Sequence, residues 1–210
     1  MNDGRIVSND GLDVAATDWQ TAFSEQQVAW SHALQARGRD GRPYLLGPAA
    51  RISLASEQLH PMAQDALART GLATQIERNP YWSIAARAVE LVDACAEALD
   101  IITAYEPPDR PAVPWEPRAA RAAWATEAPR GLIFHTYELD ARGLVAHAQI
   151  VPPTSQNQAA IESDLAAFAP RVLGLPRETA TLRIEQLIRS YDPCISCATH
   201  FLDLLVEDVS

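Results

Sequence analysis

The residues best suited to chemistry lie near the C-terminus, in IRSYDPCISCATHFLDL, residues 188 to 204. Cys194 and Cys197 stand three apart, His200 follows three later, and Asp192-Pro193 precedes them. Asp and Pro suit the N-cap and first position of a short helix. Such a helix would set both thiols one turn apart near the positive end of its dipole, where thiolate is favoured. Thiolates are metal ligands, so the run reads as half of a metal site. On these residues alone, metal ligation, a redox dithiol and neither all stay open. Structural zinc needs two further ligands; His200 offers one, and with three cysteines in all there is no second pair. Covalent haem attachment needs His directly after the second Cys, where Ala198 stands. A thioredoxin-like dithiol follows a strand in an α/β pattern, whereas this pair lies behind a helical segment.

The elements that must position this motif follow from composition and periodicity. At 210 residues and 48% hydrophobic the chain predicts one domain, 1–210, with a sizeable core. A formal charge of −10 and the lack of any basic run argue against nucleic acid. No apolar stretch approaches the roughly 18 residues of a membrane helix, and the polar N-terminus is unlike a signal peptide, so a cytoplasmic protein without a membrane span is expected. Two Asn-Asp-Gly turn signals around Arg5–Ser8 predict a hairpin edge. Asn79 and Pro80 open a helix to about Tyr105, with Ile84, Ala88, Leu91, Cys95, Ala98 and Ile102 forming a buried seam. Cys95 then reads as a small core residue, not a ligand. The proline-rich EPPDRPAVPWEPR is expected to cross in extended form, ordered and packed. Residues 131–151 predict a β-hairpin around Asp140-Ala141-Arg142-Gly143. Helices are predicted over about Gln158–Phe168 and Glu178–Arg189, the latter offering Leu182, Ile184, Leu187 and Ile188 to a core. The fold class is mainly α with a small β-hairpin, that is, α+β.

With its flanks, IRSYDPCISCATH resembles the C-terminal metal-binding motif of the large, catalytic subunit of nickel-iron hydrogenases. TEAPRGLIFH (126–135), IVPPTSQNQAAIESDL (150–165), YLLGPAAR (44–51) and NPYWSIAARAVEL (79–91) resemble other segments of that family, in its order, across nearly the whole chain. YDPCISCATH with PPTSQNQ is most similar to the soluble branch that works with NAD(P), F420 or sulfur reductase partners. The resemblance implies a nickel-iron centre with CO and cyanide on the iron, in which Cys194 is a terminal nickel ligand and Cys197 a bridge. Soft thiolates suit both ions. It further implies His200 as a ligand to a nearby magnesium ion and Arg130 as the guanidinium over the open metal position. Asp192 would orient Arg130, and Pro129 and Ile133 would line the diatomic ligands. Where many members place Ser or Thr against a cyanide this chain has Pro153, so Thr154 or Ser155 is expected to take over that bond.

The family's N-terminal Cys-x-x-Cys pair, which supplies the other two thiolates, has no counterpart here. Cys95 cannot replace a pair. The resemblance therefore implies the C-terminal half of a catalytic subunit, inactive by itself and completed by a chain carrying the N-terminal motif. Iron-sulfur clusters would reside in a partner small subunit, and a maturation protease could remove the tail 201–210 after His200. Two other expectations stand beside this one: a non-catalytic hydrogenase-like or zinc-binding module, and a truncated gene product whose bare core faces leave exposed apolar patches.

Overall fold

The computed structural model of the chain describes residues 4–194 and 204–205. Two short hairpins come first. β1 (Arg5–Val7) pairs antiparallel with β2 (Asp13–Ala15), as the turn signals predicted, and a single helical turn, α1 (Trp19–Ala22), leads into β3 (Phe23–Gln26), which pairs with β4 (Gln35–Gly38). Three helices follow: α2 (Pro48–Ala55), α3 (Pro61–Thr70) and the long α4 (Trp82–Thr103). A three-stranded antiparallel sheet is built from β5 (Ala120–Ala128), β6 (Gly131–Leu139) and β7 (Val145–Val151) in the order β5-β6-β7. Helices α5 (Pro153–Phe168) and α6 (Arg177–Ser190) close the described chain.

This α+β architecture carries more sheet than the one hairpin expected. The β6–β7 hairpin forms where predicted, its turn held by Asp140 Oδ1, which accepts the N–H groups of Arg142 at 2.8 Å and Leu144 at 3.0 Å. The Ala-rich β5 carries little strand propensity of its own. It is a strand because all nine of its residues pair with β6, from Ala120↔Leu139 to Ala128↔Gly131. One sheet face packs Ala125, Leu132, Phe134 and Val151 against Trp19 and Phe23 from the N-terminal region, with Trp19 stacked on Phe134 at 4.9 Å between ring centroids. A second core gathers Ile52 of α2, Ala63 and Leu67 of α3, Leu72, Ile76, and Ala86 and Val89 of α4.

Several expectations change. Asn79 and Pro80 do not open α4, which starts at Trp82 with Tyr81 as its cap residue; Asn79 Oδ1 accepts the Tyr81 N–H at 3.1 Å in a short turn ahead of the helix. The seam is also reversed. The buried residues of α4 are Ser83, Ala86, Val89 and Ala96, while Ile84, Leu91 and Ile102 are 53, 63 and 71% exposed and Cys95 is also exposed. The heptad-spaced stripe faces away from the core because α2 and α3 pack on the smaller residues opposite. The segment 106–118 is extended but not packed, with Val113 and Trp115 each 80% exposed. On α6, Ile184 and Leu187 are buried, Ile188 packs at the core edge, and Leu182 is exposed.

Candidate metal-centre half-site

The site begins with backbone geometry. Gly47 (φ 99°) and Gly131 (φ 135°) occupy the left half of backbone space that favours glycine. They also sit back to back: a Cβ on Gly47 would lie 2.8 Å from the Arg130 carbonyl oxygen, and one on Gly131 would lie 2.5 Å from Leu46 Cβ and 3.3 Å from Pro153 Cβ. Three segments distant in sequence, 44–51, 126–135 and the start of α5, therefore touch at one point. α5 begins at Pro153, five residues before the predicted start, because Pro152 and Pro153 supply a fixed, preorganised first turn. Its polar opening residues are buried here, and Thr154, Gln156 and Asn157 are bonded to tertiary partners.

Those bonds fasten the point of contact. Asn157 Oδ1 accepts the Leu46 N–H at 2.7 Å, and Asn157 Nδ2 donates to the Arg130 carbonyl at 3.2 Å. Gln156, fully buried, donates from Nε2 to the Leu132 and Val151 carbonyls at 2.6 and 3.1 Å and accepts from the Tyr44 hydroxyl at 3.0 Å. Burial, and then the nearby charge of Glu25, push the Tyr44 phenol pKa upward, so it stays a donor.

Arg51, at the end of GPAAR, ties this knot to α4. Its Nε and Nη2 donate to Glu90 Oε1 and Oε2 at 2.6 and 2.9 Å, a bidentate pair. Nη1 reaches Glu127 Oε2 at 2.9 Å and the Ala128 carbonyl at 3.0 Å, and Nη2 the Pro129 carbonyl at 3.1 Å. Burial alone would lower the guanidinium pKa, but the hydrogen bonds and charge of Glu90, and then Glu127, outweigh it and raise it. The two residues before Arg130 are thus clamped by their carbonyls.

Arg130 itself meets the cysteine-bearing segment. Its Nε donates to the Asp192 carbonyl at 2.5 Å and lies 3.2 Å from Asp192 Oδ2, while Nη2 is 3.4 Å from Oδ1. Arg87 of α4 approaches the same carboxylate, Nε to Oδ2 at 3.9 Å. Asp192 therefore lies between two cations. It does not start a helix. With φ 52° it is in the left-handed region just past the end of α6, and its N–H donates to the Arg189 carbonyl at 3.0 Å, a helix-closing role that Asp tolerates. Pro193 and Cys194 are non-helical, so the expected dipole effect on the Cys194 thiol is not the one built here. Thr154 reaches Cys194 instead, its Oγ1 accepting the Cys194 N–H at 3.3 Å.

Of the residues singled out from sequence, Arg130, Asp192, Thr154 and Cys194 are brought together. Ser155 is adjacent and buried, but its hydroxyl donates to the Pro152 carbonyl at 2.9 Å. Pro129 is exposed, and Ile133 is half-buried on the sheet face opposite Leu132 and Phe134. Cys197, His200 and residues 201–203 and 206–210 fall outside the described residues, and among the described ones no group of three His, Cys, Asp or Glu side chains is close enough to hold a metal. The chain's own donors fit part of a soft-metal centre: one cysteine backbone pinned by a buried hydroxyl, beside an arginine with its own carboxylate. Sequence reading missed Arg51, Glu90, Arg87, Gln156 and Asn157 as the residues that hold this arrangement. The signal was present, since all five are polar residues inside the quoted segments, within otherwise apolar or small-residue surroundings.

Comparison with known proteins agrees with this geometry. A family model described as nickel-dependent hydrogenase matches residues 16–200. The beta subunit of the NAD-reducing hydrogenase HoxS of Cupriavidus necator is 31% identical over 94% of this chain and 44% of its own length. Sulfhydrogenase 1 subunit alpha of Pyrococcus furiosus is 27% identical over 95% of this chain and 46% of its own. Among solved structures, an NAD+-reducing [NiFe]-hydrogenase in the H2-reduced state superposes with a TM-score of 0.73 at 24% identity, over 93% of this chain and 46% of that one. The chain thus spans less than half the length of these relatives. No described helix is long and apolar enough to cross a membrane. A match across 16–200, with the motif segments of the match converging on one point in space, means that this chain belongs to the nickel-dependent hydrogenase family.

Proposed function

We propose that this chain is the C-terminal portion of a nickel-iron hydrogenase catalytic subunit, contributing Cys194 and Cys197 as two of four thiolate ligands. The other two would come from the region of the hydrogenase fold that these 210 residues do not span, on a chain carrying an N-terminal Cys-x-x-Cys pair. The observation that carries this reading is the Arg130–Asp192 pair beside Cys194: a guanidinium oriented by a carboxylate and clamped through its neighbours by Arg51.

A nickel-iron centre with CO and cyanide, held by those thiolates, would supply the chemistry of heterolytic H2 cleavage. Arg130 would hold a fixed positive charge toward the bound centre and help the departing proton reach a base, with the Cys194 thiolate as that base. Asp192 holds Arg130 in orientation. Thr154, in preference to Ser155, would donate to a cyanide, because the Ser155 proton is already committed to Pro152. Pro129 and Ile133 would line the diatomic ligands, and His200 would bind magnesium. Electrons would leave through an iron-sulfur small subunit, and a maturation protease would remove residues after His200.

The test is metal content of the complex purified from the native host. Nickel and iron in equal amounts, lost in Cys194→Ser, support the reading. Zinc without nickel, lost on the same substitution, would replace it with a non-catalytic metal-binding module, and the absence of all three metals would overturn it.

A further inference from the structure

The stripe on α4 that periodicity places in a core is exposed, and it has the geometry of a contact surface. Ile84, Ala88, Leu91, Cys95, Ala98 and Ile102 recur at spacings of four and three, the heptad rhythm that keeps one face of a helix toward a second helix. All six are exposed, and the stripe runs for about 27 Å at 1.5 Å per residue. On one flank stand Ala85, Val92 and Leu99, and on the other Arg87, Ala94 and Ile101. The one charge among these six, Arg87, is turned toward Asp192. The acidic residues Glu90, Asp93, Glu97 and Asp100 all fall on the opposite side of the helix, with the buried Ala86 and Val89. The apolar arc therefore covers about half the circumference of α4, as wide as a core-facing side, and of it Ala85 and Val92 pack against the described core while the six stripe residues stay exposed.

The occupant can be read from the surface. A 3-4 apolar rhythm selects an α-helix over a strand, because strand side chains repeat every two residues. Small residues interrupt the stripe at Ala88, Cys95 and Ala98, so a facing helix can approach closely there. A second copy of this chain is disfavoured by its net charge of −10, which copies would have to bring together. More than half the length of the matched relatives has no counterpart in this chain, which leaves the rest of the same fold to cover the face.

We propose that the outer face of α4 is the docking surface for a long, apolar-faced α-helix from the portion of the hydrogenase fold that this chain does not span. This rests on the proposed function above. The contact would place that portion against the same helix that supplies Arg87, from the flank of the stripe, and Glu90, from its other side, to the Asp192 and Arg51 clusters, so docking and site assembly would share one element.

Cys95, at the middle of the stripe, reports on it. In the recombinant chain alone, maleimide should modify the peptide carrying Cys95 at the rate of an unprotected thiol. In the complex from the native host the rate should fall at least tenfold, and a bifunctional thiol reagent at Cys95 should join it to a peptide from another part of a nickel-dependent hydrogenase large subunit. Unchanged labelling in the complex, or a cross-link to a second copy or to an unrelated protein, would overturn the proposal. Leu91→Glu should leave the melting temperature of the isolated chain within about 2 °C and abolish the protection; a large fall in melting temperature would mean that the face is packed within the chain, and would also overturn it. Metal analysis of the same preparation separates the two readings. Protection without nickel would sink the proposed function alone, and nickel and iron with Cys95 still reactive would sink this inference alone.

Discussion

Two sides of α4 stand in contrast. Its inner side carries Glu90, Ala86 and Val89, with Arg87 at the border between the two sides, and these charges are directed at partners: Glu90 to Arg51, Arg87 to Asp192. Its outer side carries a larger apolar surface that stays exposed in the described chain. Burial, then, did not follow hydrophobicity along this helix. It followed the partners that were available, small residues facing α2 and α3, and a clamp of charges near the cysteine segment.

If the inner side and the knot it supports are rigidly specified and the outer side is not, substitutions on the two should differ by several kcal/mol. The largest loss is expected from Gly131→Ala, where a Cβ would collide with Leu46 and adopt a positive φ; about 3–4 kcal/mol of unfolding free energy, read in urea, is the expected cost. Arg51→Ala removes five hydrogen bonds and leaves Glu90, about four-fifths buried, without its bidentate partner, for about 3 kcal/mol. Asn157→Ala unlinks the Leu46 N–H from the Arg130 carbonyl and should cost about 2 kcal/mol. A smaller effect is expected from pH. The Tyr44 phenol is raised above its ordinary value of 10.0 in the folded chain, so the folded state holds that proton more tightly than the unfolded state. Its contribution is full below about pH 10 and is lost as pH rises beyond it. Tyr44→Phe should cost about 1 kcal/mol at neutral pH and flatten the decline on the alkaline side of a thermal-melt series. The smallest change is expected on the outer side, where Leu91→Glu, between residues of similar helix propensity, should shift stability by less than about 0.5 kcal/mol. An inner and an outer substitution of equal cost would erase the contrast.

Much of the site was legible in the sequence. The segments that share the family resemblance meet in space, and the Arg130–Asp192 pairing is present. The β6–β7 hairpin was legible because its turn is local: Asp140 bonds residues two and four ahead. β5 was not, because Ala and Arg carry no strand preference and the pairing partner lies across a tight turn at Pro129 and Arg130. The start of α5 was missed for a related reason, since Thr154, Ser155, Gln156 and Asn157 read as loop until their side chains are seen bonded within the fold.

The sequence by itself determined the family, the thiol pair, the local turns and the helical rhythm of α4, because each depends on residue types at fixed short spacings. Tertiary structure alone decided which side of α4 is buried, that Asp192 closes α6 instead of opening a helix, and that Arg51 clamps the carbonyls before Arg130. Those outcomes depend on what a side chain meets across the fold, and periodicity describes a face without naming its neighbour.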